Sequence, residues 1–192
     1  MTITKPAARH APASIALHWL MFLLLVAVYA TIELREYFPK GSGPREALKA
    51  WHFTAGLTVF ALVWLRLIIR LLKPPLLILP RLSKWQRHVS NGVHIALYVF
   101  MIGMPLLGWL SLSAEGKLLR WFGIHIPALV GRDDAFAERI GELHETIGSA
   151  GYVLIGFHAA AALFHHYVLK DDVLMRMFPW RSRARSEAKV KA

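Results

Sequence analysis

Four stretches of this chain run apolar with few interruptions, over about 14–33, 50–72, 88–112 and 141–169. A helix of about 20 residues crosses the roughly 30 Å of bilayer hydrocarbon. Each stretch therefore predicts one transmembrane helix, and residues 1–192 together predict a single all-α domain, a four-helix membrane bundle. Polar and turn-forming residues fill the intervals. Pro74 and Pro75 close the second stretch, because proline lacks the amide hydrogen that a continuing helix donates. Pro105 inside the third predicts a kink. A cleaved secretory signal is the competing reading of the first stretch, which ends in the small-residue pattern Val28-Tyr29-Ala30. Cleavage there would leave an odd number of spans, against the charge distribution below.

Composition agrees with the pattern: 56% of residues are hydrophobic and the mean hydropathy is +0.42. The chain has no cysteine, which excludes disulfides, thiolate metal sites, thiol nucleophiles and covalent haem attachment through a C-x-x-C-H box. A net charge of +11 would suggest nucleic acid as the partner of a soluble protein. Here its distribution reads as topology, and no nucleic-acid partner is expected. With four spans, both termini and the 73–87 connection share one side. That side and its flanking helix ends hold fifteen of the 23 basic residues against three of the twelve acids, leaving eight basic and nine acidic residues opposite. The positive-inside rule then places both termini in the cytoplasm. Trp85 and Trp180 suit the cytoplasmic interface, Trp51 and Trp109 the other. The basic tail 170–192, with Arg181, Arg183, Arg185, Lys189 and Lys191, anchors this topology and suits anionic lipid headgroups.

Charge inside a membrane span is costly enough that the histidines become the candidate chemistry. His144 and His158 are fourteen residues apart. That interval is about 21 Å of helix and comes within about 40° of whole turns, so both rings face one bundle interior at two depths. With the orientation above, His18 lies near the cytoplasmic end of the first span and His52 near the outer end of the second. The pairs that follow are His52 with His144 outside and His18 with His158 inside. We read them as axial ligands of two stacked b-type haems, and the protein as a membrane electron carrier. Glycines suit a large flat ligand: Gly148 and Gly151 lie between His144 and His158, and Gly56 one turn after His52. They suit ordinary helix packing equally well.

Arg66 lies fourteen residues after His52, with Arg70 one turn on, so both are candidate partners of haem propionates; snorkelling is the alternative. His94 can reach the inner level from the third span, as a competing ligand or, preferably, as a hydrogen-bond partner of a propionate or a quinone carbonyl. His165 and His166 read as interfacial, and His10, His88 and His125 as solvated. Other metal centres fit less well. A di-iron bundle site needs several glutamates at mid-membrane, where no span carries a deep acid, and zinc needs three or four clustered donors. Bis-imidazole ligation leaves no open iron position and favours electron transfer.

These residues resemble the bacterial cytochrome b561 family, small four-helix dihaem proteins of the inner membrane. The likeness covers nearly the whole chain. It is carried by Ser14-Ile15-Ala16-Leu17-His18-Trp19-Leu20, by His52 and the run Arg66-Leu67-Ile68-Ile69-Arg70, by Leu143-His144-Glu145-Thr146, and by the stretch from Gly156-Phe157-His158 to His165-His166-Tyr167. The resemblance implies haem b ligation by His18, His52, His144 and His158. Within the family the chain is most similar to superoxide:ubiquinone oxidoreductases. That implies oxidation of periplasmic superoxide and reduction of ubiquinone, and assigns no catalytic residue.

Two matters stay open at this stage. Arg35, Lys40, Arg45 and Lys49 precede His52, but Glu33, Glu36 and Glu46 lie among them, so they steer an anion only if folding separates the signs. The 113–140 connection carries the amphipathic stretch Lys117-Leu118-Leu119-Arg120-Trp121-Phe122, expected to lie on the bilayer or to dock a periplasmic redox partner. A relay between quinol and such a partner is the alternative function, and a redox-inactive bundle the third. Tyr37, Trp51, His88 and His94 are the candidate quinone contacts.

Overall fold

The computed structural model describes residues 12–72, 83–171 and 174–177. Four long helices dominate it: α1 (Pro12–Leu34), α2 (Gly43–Leu72), α3 (Lys84–Ala114) and α4 (Asp134–Tyr167). All four are long and apolar enough to cross a membrane. Large apolar side chains such as Leu23, Leu71, Leu72 and Val153 point outward, as a lipid-facing surface requires.

Local chemistry sets the helix ends. Ser83 caps α3 in a capping box, its hydroxyl accepting from the Gln86 amide while the Gln86 side chain accepts from the Ser83 amide. Asp133 caps α4 by accepting from the Phe136 amide at 3.0 Å. Two helices begin well before the apolar runs that announce them. α2 starts at Gly43 and α4 at Asp134, each seven residues upstream of the expected edge, because their first turns are polar and project past the apolar zone. The α1–α2 connection is correspondingly tight: a 3₁₀ turn, Arg35–Tyr37, and a few further residues. Arg45 fills it. Its guanidinium is 7% exposed and donates to the carbonyls of Arg35 and Phe38, and to both carboxylate oxygens of Glu36.

The 119–126 segment has a fold of its own. It is an antiparallel β-hairpin, β1 (Leu119–Trp121) paired with β2 (Ile124–Ile126), a conformation the amphipathic pattern of 117–122 did not specify. Leu119 is buried, and the Trp121 indole donates to the Thr58 hydroxyl on α2 at 3.1 Å. The two turn residues, Phe122 and Gly123, have φ of 48° and 85°, the left-handed pair of a two-residue hairpin turn.

The helices pack as two pairs, α1 along α2 and α3 along α4, with α2 against α3 joining them. Leu17, Met21, Val59, Val63 and Met101 form the buried centre of α1, α2 and α3. Among the described residues α4 makes no extended backbone approach to α1 or α2. It stands off from them, and side chains span the gap. Pro74, Pro75, the N-terminal cations, His10, Trp180 and the basic residues from Arg181 onward lie outside the described residues.

Candidate haem-binding centre

The four histidines meet across that gap. His52 of α2 faces His144 of α4 with ring centroids 6.3 Å apart, and His18 of α1 faces His158 of α4 at 6.4 Å. This separation is informative. With a metal–nitrogen bond of about 2.0–2.1 Å, and each ring centre about 1.1 Å beyond its nitrogen, two imidazoles on opposite faces of one metal have centroids about 6.2–6.4 Å apart. Both pairs match. Among the described residues no three histidine or carboxylate groups converge as a metal cluster. A metal at either level thus finds two protein donors and must take the rest from its own ligand, and a porphyrin supplies four.

The surroundings of the first pair fit such a ligand. A cavity of about 620 Å³ holds His52 and His144 in its wall, within the usual range of cofactor sites. A Cβ on Gly56 would meet open space, and one on Gly108 would stand 3.2 Å from the His144 ring, so a side chain at 108 would crowd that ring. The His52 Nδ1–H donates to the Val28 carbonyl at 2.9 Å, which fixes the tautomer and leaves Nε2 with its lone pair toward His144's side of the gap. Val28 was not legible as an orienting group, because its part is played by the backbone.

The second level is richer in cations. Arg66 lies within electrostatic range of His94 and His158, and its buried Nη1 lacks a hydrogen-bond partner. Arg70 stacks over the Tyr98 ring at 5.7 Å. An orphaned guanidinium nitrogen beside a histidine pair suits an anionic substituent of the bound group. His94 is also here, 5.3 Å from the His158 ring. That is about 1 Å too short for two imidazoles across one metal on the same bond lengths. Its Nδ1–H donates to the Ser90 carbonyl at 2.6 Å.

The other sequence-derived candidates scatter. Tyr37, Trp51 and His88 are exposed and share no site with His94. His125 sits exposed on β2, and His165 donates to the buried carboxylate of Asp171 at 2.5 Å. Two tyrosines absent from the expectations bridge α1 and α4. Tyr29 donates to the Gly148 carbonyl at 2.8 Å and Tyr152 to Glu33 at 2.6 Å.

Folding does not separate the charges near the cavity mouth. Arg35 and Arg45 both pair with Glu36, Lys49 with Glu46, and Lys117 with Glu115. The condition for an anion-steering funnel is therefore not met.

Over residues 9–180 the sequence matches the family described as prokaryotic cytochrome b561. The chain belongs to this family. It is 38% identical over 173 residues to cytochrome b561 homolog 1 of Escherichia coli (strain K12), covering 90% of this chain and 98% of the relative. It is 33% identical over 165 residues to the probable superoxide oxidase CybB of Yersinia pestis, covering 86% and 93%. Cytochrome b561 homolog 2 of Escherichia coli (strain K12) is 29% identical over 182 residues, covering 92% and 95%. Cytochrome b561 proteins are four-helix membrane electron-transfer proteins that bind b-type haem, and the gap between α4 and the α1–α2 pair is where this cytochrome b561 offers paired imidazoles for one.

Proposed function

We propose that the chain holds two b-type haems, one between His52 and His144 and one between His18 and His158, and carries electrons from superoxide to ubiquinone. What carries the reading is the repeated separation: two imidazole pairs, 6.3 and 6.4 Å apart, each with one member on α4, at two depths. The charge asymmetry supports a bacterial inner-membrane orientation with both termini cytoplasmic and the His52–His144 level periplasmic. The haems supply reversible one-electron carriers. His52 is held in the ligating tautomer by the Val28 carbonyl. Arg66 and Arg70 neutralise propionates at the inner level. His94, its Nδ1 occupied, offers its other nitrogen to a propionate or a quinone carbonyl. Two superoxide anions each lose one electron and leave as oxygen. Ubiquinone gains those two electrons and two protons and leaves as ubiquinol.

The test adds superoxide to the oxidised, purified protein with and without superoxide dismutase, and follows haem absorbance and ubiquinol yield. Fast, dismutase-sensitive reduction is expected; reduction no faster than the dismutase control sinks the reading. A second reading, electron relay to a periplasmic redox partner, is favoured by the apolar surface at the hairpin, where Leu118, Phe122 and Ile124 are all largely exposed. Purification in mild detergent separates the two: a stoichiometric redox partner supports the relay, and full activity of the lone chain argues against it.

A further inference from the structure

We propose that two aromatic side chains meeting on Gly151, Phe100 and Tyr29, form the packed bridge through which the two haem levels exchange electrons. This rests on the two-haem reading. Gly151 is seven residues from His144 and seven from His158, about 10.5 Å of helix from each. The same interval recurs on the facing helices. Val59 lies midway between His52 and Arg66 on α2, and Met101 midway between His94 and Gly108 on α3. All three midpoints, Val59, Met101 and Gly151, are buried, so an apolar layer crosses the bundle between the levels.

α4 keeps a glycine in this layer for a steric reason. A Cβ on Gly151 would collide with the Tyr29 hydroxyl and with the edge of the Phe100 ring, whose Cε2 would be 2.7 Å away. Rings from α1 and α3 thus occupy the space a side chain of α4 would take, halfway between the ligand pairs. Tyr29 is pinned there by its hydrogen bond to the Gly148 carbonyl. Phe100 makes no polar contact, and its part is to fill.

An electron tunnels more readily through packed atoms than across a void of the same width, so at fixed driving force the close packing at mid-gap raises the exchange rate. The step is simple in its balance. One electron leaves the reduced outer haem, which is oxidised, and reduces the inner haem; no proton moves and no bond forms or breaks. Phe100 and Tyr29 are positioning residues and are not themselves oxidised.

The test uses the full chain, loaded with haem, in detergent or liposomes. Haem is counted first: fewer than two per wild-type chain defeats the two-haem reading itself, separately from the bridge. Electrons are then injected by flash photoreduction, and equilibration between the haems is followed at wavelengths assigned by potentiometric titration. Phe100→Ala is expected to slow equilibration several-fold with two haems bound and both midpoint potentials unchanged, and Phe100→Met, whose flexible side chain refills the space without a group pressed onto Gly151, to restore most of the rate. Tyr29→Phe, which keeps the ring and loses the pin, is expected to slow it less. Wild-type rates in Phe100→Ala, or equal slowing in Phe100→Ala and Phe100→Met, overturn the proposal. If Phe100→Ala loses haem or fails to fold, Phe100→Leu carries the same test, with a rate between alanine and wild type expected and a wild-type rate overturning it.

Discussion

An imidazole gives one nitrogen to a metal and is oriented through the other, so among oriented rings the spacing to the facing ring separates a ligand from a neighbour. His52 donates from Nδ1 to Val28 and faces His144 at the spacing a shared metal requires. His94 donates from Nδ1 to Ser90 but stands too close to His158 to share one with it. Replacing His52 or His144 by alanine is therefore expected to leave one haem per chain. His94→Ala should retain both, and haem stoichiometry by absorbance against protein concentration measures the difference. Loss of a haem from His94→Ala would instead make it a ligand. The facing of His52 with His144, and of His18 with His158, was legible in the sequence, since helical periodicity and span polarity fix which side chains share a face and a depth. Tyr29, Tyr152 and Phe100 were not legible, because their contacts join different helices and depend on how those helices are rotated and spaced.

At the scale of elements, the two connections on the His52 side carried no predicted structure of their own, and both contain folded pieces: the 3₁₀ turn held by Arg45 and the 119–126 hairpin. Arg45 counted in the sequence as one more cation before His52. Buried against two carbonyls and a carboxylate, it is the clamp of the α1–α2 turn. Charge-assisted bonds to buried carbonyls are worth about 1.5–3 kcal/mol each, and losing one partner strands the others. The Glu36 carboxylate is largely exposed and adds little. Arg45→Ala is expected to cost about 2–3 kcal/mol in thermal or denaturant melts of the haem-loaded protein, and Arg45→Lys most of that, since an ammonium cannot reach both carbonyls and Glu36 in the same fork. The hairpin runs the other way. Phe122 holds φ at 48°, a left-handed conformation that costs an L-residue about 1–2 kcal/mol. Phe122→Gly is expected to stabilise the hairpin by about 1 kcal/mol, read as slower amide exchange across 119–126. Faster exchange would mean that the ring's contacts outweigh its strain. A pattern of apolar residues could not distinguish this hairpin from a surface helix, because the segment is short and its partner, Thr58, is far away in sequence.

At the scale of the whole molecule, the net charge of +11 is the sum of two unlike surfaces: about +12 on the side of the termini and about −1 on the other. The first suits anionic lipid headgroups, whose attraction is worth about 1 kcal/mol per cation near the surface. The second is nearly neutral in total, and the cations that line the cavity, Arg35, Lys49 and Lys117, each pair with a neighbouring carboxylate. Paired charges a few ångströms apart cancel beyond a Debye length of about 8 Å at physiological ionic strength. Where a field does gather an anionic substrate, it raises association by about 10–1,000-fold and the gain falls steeply with salt. Here no such field reaches out from the cavity mouth. The reaction with superoxide, if this face receives it, is therefore set by access to the His52–His144 pocket and by haem potential. The expected outcome is a second-order rate of superoxide-dependent haem reduction that changes by less than about twofold as ionic strength rises from roughly 0.01 to 0.15 M. A tenfold fall over that range would show that the cations at the mouth act unpaired in solution, and would restore the steering funnel that the ion pairs argue against.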